Sequence, residues 1–143
     1  MQTIGSSRQW YLFPAGPPLC FGETVITSTK RLVETNGVQL QVTEAGDRGA
    51  PVVVLAHGFP ELAYSWRKVI VPLARAGYHV IAPDQRGYGR TTGWSADYDG
   101  DLAPFRLLNL VRDALGLVFA MGHRSVAAVV GHDYGSSVAA WSA

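Results

Sequence analysis

The pattern of apolar and polar residues predicts alternating strands and helices. Short, continuously apolar runs that contain valines are typical of strands buried on both faces, and they occur at 51–56, 78–82 and 127–130. Segments 61–76 and 104–121 instead have apolar residues at helical spacing, and Gly77 and Gly122 follow them as helix ends. This alternation predicts a mostly parallel sheet covered by helices.

An antiparallel hairpin is predicted ahead of the first buried strand. Segments 30–34 and 38–44 flank Asn36-Gly37, a dipeptide that favours tight turns because both positions need a positive φ. Apolar residues alternate through the second segment, as expected for a half-buried strand at one edge of the sheet.

The pattern also predicts details of the helices and of one loop. Pro72 lies inside the first helical segment and is expected to kink or divide it. In the second helix, Asp113 belongs to a polar face, whereas Leu108 and Leu115 belong to an apolar face. Between the two helices, residues 85–103 are rich in glycine and polar residues, which predicts a long surface loop.

The first 29 residues predict no regular element. Residues 14–18 contain three prolines and a glycine, which break any helix or inner strand. We interpret 1–29 as a poorly defined N-terminal extension without an assigned function, and 30–143 as the domain.

Composition excludes several classes of function. The 143 residues are 48% hydrophobic and 16% charged with a formal net charge of +1, so one core is expected and no nucleic-acid partner. The single cysteine, Cys20, cannot form an internal disulfide. No secretory leader, bilayer-spanning run or metal-ligand spacing is present, so we expect a cytoplasmic protein without a metal, cofactor or membrane partner.

The clearest chemical signal is the turn Gly131-His132-Asp133-Tyr134-Gly135, which joins a buried strand to a small-residue helical segment. Alone, Gly-x-Asp-x-Gly is more often a loop or a calcium-type turn. In this context it has the layout of a nucleophile elbow, with aspartate where hydrolases more often carry serine. The glycines allow a strained turn, and the following helix N-terminus favours a carboxylate.

Linked motifs give this chain a family resemblance. H-G-F-P at 57–60, E-L-A-Y-S-W-R at 61–67, P-D-Q-R-G-Y-G at 83–89 and G-H-D-Y-G-S at 131–136 occur in the order of the epoxide-hydrolase branch of the α/β-hydrolase family. From about residue 30 onward the chain resembles that branch. The resemblance implies the N-terminal half of an α/β-hydrolase fold, mostly parallel with an antiparallel hairpin at one edge.

The resemblance also implies a reaction. Asp133 would be the nucleophile that opens a small hydrophobic epoxide and forms an alkyl ester, which water then cleaves to a diol. The N–H groups of Phe59 and Tyr134 would form the oxyanion hole for that second step. The supporting turns would consist of His57, Gly58, Pro60, Gly131 and Gly135, with a cis Phe59–Pro60 bond permitted.

The sequence departs from the family's pattern after the elbow. In the family the acid and the histidine of the triad follow the nucleophile, and lid tyrosines protonate the epoxide oxygen. No acid or histidine follows Asp133, so the general base and acid are absent from this chain. We therefore expect a truncated chain that is inactive alone and that has an open sheet edge available for self-association.

Two other functions remain open at this point. A haloalkane or haloacetate dehalogenase would use the same aspartyl ester, although H-G-F-P and Tyr134 favour epoxides. Alternatively, the chain could be a non-catalytic fragment that acts through protein interaction.

The remaining candidate residues are expected to be structural. His132 should point away from the site, because alternate strand residues face opposite sides. Asp84 and Arg86 are expected to form a structural pair or to brace loops. Ordinary surface, core or packing roles are expected for His79 and His123 (surface or strand edge), Trp66 and Trp141 (core), and Ser136 and Ser137 (capping or packing).

Overall fold

The computed structural model describes residues 25–143, in which strands and helices alternate. The strands are β1 (Thr29–Thr35), β2 (Val38–Ala45), β3 (Val52–Ala56), β4 (His79–Pro83) and β5 (Ala128–Gly131). The α-helices are α1 (Arg67–Arg75), α2 (Leu107–Ala120) and α3 (Tyr134–Ser142), and short 3-10 helices span Ala63–Trp66 and Ala103–Phe105. Most of the predicted extension 1–29, with Cys20, lies outside the described residues.

The strands form one mixed sheet in the order β1-β2-β4-β3-β5. β1 and β2 are an antiparallel hairpin, and its turn contains Asn36 at φ 44° and Gly37 at φ 75°. The prediction of an edge hairpin is therefore confirmed. β2 also pairs antiparallel with β4, whereas β3 is parallel to both β4 and β5. Within the described residues, β5 forms the edge opposite the hairpin.

The sheet is packed between helices on both faces. Val52 and Val54 of β3 face the side of α2, while Val53 and Leu55 face the side of α1. A run that is apolar at every position can therefore be buried on both faces, as the sequence predicted. α3 lies beside α2 on the first of these sides, where Val138 is buried together with Leu110 and Val111.

Several predictions about the helices need correction. Of the two alternatives predicted for Pro72, division of the helix is wrong, since α1 begins at Arg67 and continues through Pro72. Leu108 and Leu115 are exposed, whereas Asp113 is buried in an ion pair with Arg86. Neighbouring elements, and not the polarity pattern alone, decide which stripe of α2 is buried.

The two tryptophans assigned to the core differ in their environments. Trp66 is partly buried and packs against the apolar layer on the side of α1. Trp141, near the end of α3, is 70% exposed, so its assignment to the core is wrong. No helix within residues 25–143 has both the length and the hydropathy needed to cross a lipid bilayer.

Candidate active site

The predicted site residues meet at one edge of the sheet. β3, β4 and β5 are parallel, so their carboxyl ends and the loops that follow them lie on the same rim. The loop after β3 contains Phe59, and the loop after β5 contains Asp133. The backbone N–H of Phe59 donates a hydrogen bond of 2.9 Å to Asp133 Oδ1 across 74 positions of sequence.

The turn at Asp133 has the strained geometry of an elbow. Asp133 has φ 51° and ψ −122°, a conformation that non-glycine residues rarely adopt. A Cβ on Gly131 would collide with the carbonyl group of Gly135. A Cβ on Gly135 would in turn collide with the carbonyl oxygen of Ala56 at the end of β3. Both flanking positions therefore require glycine, and the reason is close backbone packing around Asp133.

Gly58 allows the two loops to approach each other. A Cβ at this position would lie 2.9 Å from Asp133 Oδ1 and 2.9 Å from the carbonyl oxygen of His132. The next peptide bond, between Phe59 and Pro60, is cis. The absence of a side chain at Gly58 thus permits the Phe59 N–H to reach the carboxylate.

The Asp133 carboxylate is exposed and is stabilised as an anion. The N–H of Phe59 lowers the pKa of Asp133 most strongly, and a hydrogen bond from the N–H of Tyr134 lowers it further. Both groups are the N–H donors that the sequence predicted for an oxyanion hole, and both converge on one carboxyl group. Asp133 is therefore ionised at neutral pH and needs no base before it attacks an electrophile.

His57 is buried beneath these donors and has both ring nitrogens engaged. Its Nε2 accepts a hydrogen bond of 2.9 Å from the N–H of Gln85, so the ring proton resides on Nδ1, which donates to the carbonyl oxygen of Gly58 at 2.9 Å. The side-chain amide of Gln85 donates to the carbonyl oxygen of His57. Burial lowers the pKa of His57, which keeps the ring neutral. The ring therefore braces the turn after β3.

Three other candidate residues lie near the site, and their side chains are bound to partners other than the Asp133 carboxylate. The exposed ring of His132 approaches Glu61 Oε2 at 3.2 Å. Asp84 accepts a hydrogen bond of 2.8 Å from the N–H of Ala63. Asp84 and Arg86 do not pair with each other, since Arg86 binds Asp113 instead. Each of them still braces a loop, which was the alternative expectation.

A cavity of about 690 Å³ opens in front of Asp133. Aromatic and aliphatic side chains form most of its wall, and the lining residues are Phe59, Arg86, Tyr88, Phe105, Leu110, Asp133, Tyr134 and Ser137. The apolar character of the wall and the carboxylate within it are suited to an uncharged organic electrophile.

Sequence reasoning did not assign five of these eight lining residues to the site, and Tyr88 and Phe105 are the aromatic residues among the five. Tyr88 was assigned to a surface loop, yet its ring stands edge-on to His57 with centroids 5.0 Å apart. Burial raises the pKa of Tyr88, and the negative charge of Asp133 raises it further. Phe105 was assigned only to the apolar face of a helix. The signal that could have found Tyr88 is its position in P-D-Q-R-G-Y-G, directly after β4 and hence on the same rim.

The expectation that His79 is a surface residue is wrong. Its side chain is 1% exposed, with Nε2 at 3.2 Å from Glu44 Oε2 and Nδ1 at 3.0 Å from His123 Nε2. Glu44 also pairs with Arg31 and Arg48. This cluster lies at the amino end of β4, away from Asp133. Among residues 25–143, no group of three or more His, Cys, Asp or Glu side chains could hold a metal ion.

Comparisons with known proteins agree with this geometry. A family model described as the alpha/beta hydrolase fold matches residues 51–143. Epoxide hydrolase A of Mycobacterium tuberculosis (strain ATCC 25618 / H37Rv) is 54% identical over 115 residues, which are 80% of this chain and 34% of that protein. The AB hydrolase superfamily protein YfhM of Bacillus subtilis (strain 168) is 43% identical over 109 residues, covering 76% of this chain and 36% of its own length.

A solved structure extends the similarity to the backbone. The crystal structure of Epoxide Hydrolase A from Mycobacterium thermoresistibile matches with a TM-score of 0.74 at 49% identity, covering 81% of this chain and 34% of its own. The chain therefore spans about a third of the length of the relatives that it matches.

Proposed function

This chain belongs to the α/β-hydrolase fold family, and we propose that it carries the nucleophile and the oxyanion hole of an epoxide hydrolase. The observation that carries the proposal is the Asp133 carboxylate, which sits on a strained elbow, accepts the N–H of Phe59 at 2.9 Å and faces a largely apolar cavity. The relatives named above as epoxide hydrolases support an epoxide as the electrophile, in preference to a haloalkane.

In the first step, an Asp133 oxygen attacks one carbon of the epoxide ring. A new ester C–O bond forms while the ring C–O bond breaks, and the ring oxygen takes up a proton. A carboxylate is suited to this displacement because it is already ionised and gives a stable alkyl ester. In the resembling family a lid tyrosine donates the proton, and we propose that this donor lies outside the present 143 residues.

In the second step, water attacks the carbonyl carbon of the Asp133 ester and places negative charge on the carbonyl oxygen. The N–H groups of Phe59 and Tyr134 already bind the carboxylate, so they are positioned to stabilise this oxyanion. Collapse of the intermediate releases the diol and regenerates Asp133. The resembling family activates the water with a histidine, which we likewise propose lies outside this chain. In the chain alone, solvent water would protonate the ring oxygen in the first step, but no histidine would activate water for the second, so the reaction should stop at the ester.

Trapping of that ester tests the proposal. We expect the folded chain, incubated with 4-nitrostyrene oxide, to gain the mass of one epoxide, and peptide mapping should locate the adduct at Asp133. Asp133→Asn is the matched control, because asparagine keeps the shape of the side chain and tolerates a positive φ but has no nucleophilic carboxylate.

A second control addresses non-specific alkylation. Asp99 is an exposed carboxylate distant in sequence from the elbow, and Asp99→Asn should leave the adduct yield unchanged. An unmodified wild-type chain that is folded by circular dichroism would contradict the assignment of the nucleophile. Equal modification of the wild type and Asp133→Asn would contradict it as well.

A further inference from the structure

The wall of the cavity combines two groups of residues from different parts of the fold. The elbow and the loop after β3 contribute the reacting carboxylate and the N–H donors. The 3-10 helix Ala103–Phe105 and α2 contribute Phe105 and Leu110, whose side chains are apolar. A substrate bound between the two groups would meet polar atoms on one side and hydrocarbon on the other.

The ring of Phe105 is held in a defined position. Gly87 has φ 86°, and a Cβ built there would lie 2.9 Å from Phe105 Cε1 and 3.3 Å from Cδ1. The edge of the ring therefore packs directly on the backbone of the loop after β4. Because this contact restricts the ring before a ligand arrives, little conformational entropy is lost when the ring binds a substrate.

Arg86 also lines the cavity, but its charge is engaged elsewhere. Its Nε and Nη2 donate to the two carboxylate oxygens of Asp113 at 2.8 and 2.7 Å, and Nη2 also donates to the carbonyl oxygen of Asn36 at 3.1 Å. With this cation neutralised, the charge that remains at the cavity is that of Asp133. An anionic substrate would be repelled, and a neutral one would not.

From these contacts we propose that Phe105 is a specificity-determining residue that binds an aryl substituent of the epoxide. The inference rests on the proposed function and goes beyond it by assigning to Phe105 the selection between epoxides with and without an aromatic substituent. A flat apolar ring on the substrate would pack against the Phe105 ring while its epoxide carbons reach Asp133.

The rate of adduct formation at Asp133 tests this inference. Intact-mass spectrometry of the 143-residue chain gives the rates with styrene oxide and with glycidol, a neutral epoxide that lacks a ring. We expect Phe105→Ala to lower the ratio of the two rates by about tenfold, since an aromatic contact of this kind contributes on the order of 1.5 kcal/mol. Phe119→Ala is the matched control, because Phe119 lies in α2, is 64% exposed and does not line this cavity.

The outcomes separate this inference from the proposed function. No adduct on the wild-type chain overturns the proposed function, and the inference with it. An adduct whose styrene oxide to glycidol ratio is the same in the wild type and in Phe105→Ala overturns the inference alone. Phe105→Leu, which keeps most of the volume but lacks the flat ring, decides the question if Phe105→Ala does not fold. We expect its ratio to lie below that of the wild type, and an unchanged ratio would overturn the inference.

Discussion

Replacement of Asp113 with asparagine is expected to destabilise the fold by about 3 kcal/mol, because it leaves the buried charge of Arg86 without a counterion. Asp113 and Arg86 are 4% and 8% exposed. The hydrogen bonds that Arg86 donates to Asp113 raise the pKa of Arg86, a group that is protonated at any accessible pH. In the variant, the guanidinium therefore cannot become neutral to escape the unfavourable environment.

The geometry sets the size of this effect. Asp113 accepts two hydrogen bonds from Arg86 and a third, of 2.7 Å, from the side-chain amide of Asn36. Loss of one partner of a buried ion pair typically costs about 3–5 kcal/mol. Asparagine can turn its one acceptor oxygen to two of the three donors but then presents its NH₂ group to the third, which places the estimate at about 3 kcal/mol. A change of that size is a large fraction of the roughly 5–15 kcal/mol that stabilises a typical domain.

Urea denaturation at pH 7, followed by far-UV circular dichroism, measures the loss. Asp99→Asn makes the same chemical change at an exposed position and should shift the unfolding free energy by less than about 0.5 kcal/mol. The double variant Arg86→Met/Asp113→Leu removes both charges and should recover most of the stability. If Asp113→Asn and Asp99→Asn have the same unfolding midpoint, the reasoning that the pair is buried and structural is refuted.

Two further predictions concern stability. Gly135→Ala should destabilise the chain by about 3 kcal/mol or more, since the new Cβ would collide with carbonyl oxygens at the end of β3. Gly49→Ala is the control: its Cβ makes only an ordinary contact, so its thermal unfolding should match that of the wild type. Burial lowers the pKa of both His57 and His79, so the unfolded chain binds more protons than the folded one, and stability should decline as the pH falls from about 7 to 5.5. A urea midpoint that stays level or rises as the pH falls would contradict this second prediction. His132→Gln changes an exposed histidine and should leave the decline in stability unchanged.

Local sequence signals predicted those parts of the molecule whose cause is itself local. The turn at Asn36-Gly37 formed as predicted, because the φ preferences of two adjacent residues decide it. The glycines around Asp133 also indicated a tight strand-to-helix turn, in which the backbone of Gly131 packs directly against that of Gly135. Helix ends at Gly77 and Gly122 also agree with the structure, where both residues have positive φ.

The failures share a different cause. Asp113, His79 and Trp141 were assigned from their polarity and spacing, yet each environment depends on residues distant in sequence. Asp113 is buried because Arg86 reaches it, and His79 because Glu44 and His123 bind its ring. Trp141 is apolar but exposed. A residue's own chemistry does not reveal whether a distant partner is present, so burial of polar groups was predicted poorly.

By itself, the sequence determined the order of the strands and helices along the chain, the two-sided burial of β3 and the turn that presents Asp133. These features follow from backbone preferences and apolar periodicity over a few residues. Only the tertiary structure decided that the Phe59 N–H reaches Asp133, that Tyr88 and Phe105 share a cavity with it, and that Arg86 is neutralised by Asp113. Each of these contacts joins different loops or elements, and parallel strand pairing brings the site loops to one rim of the sheet.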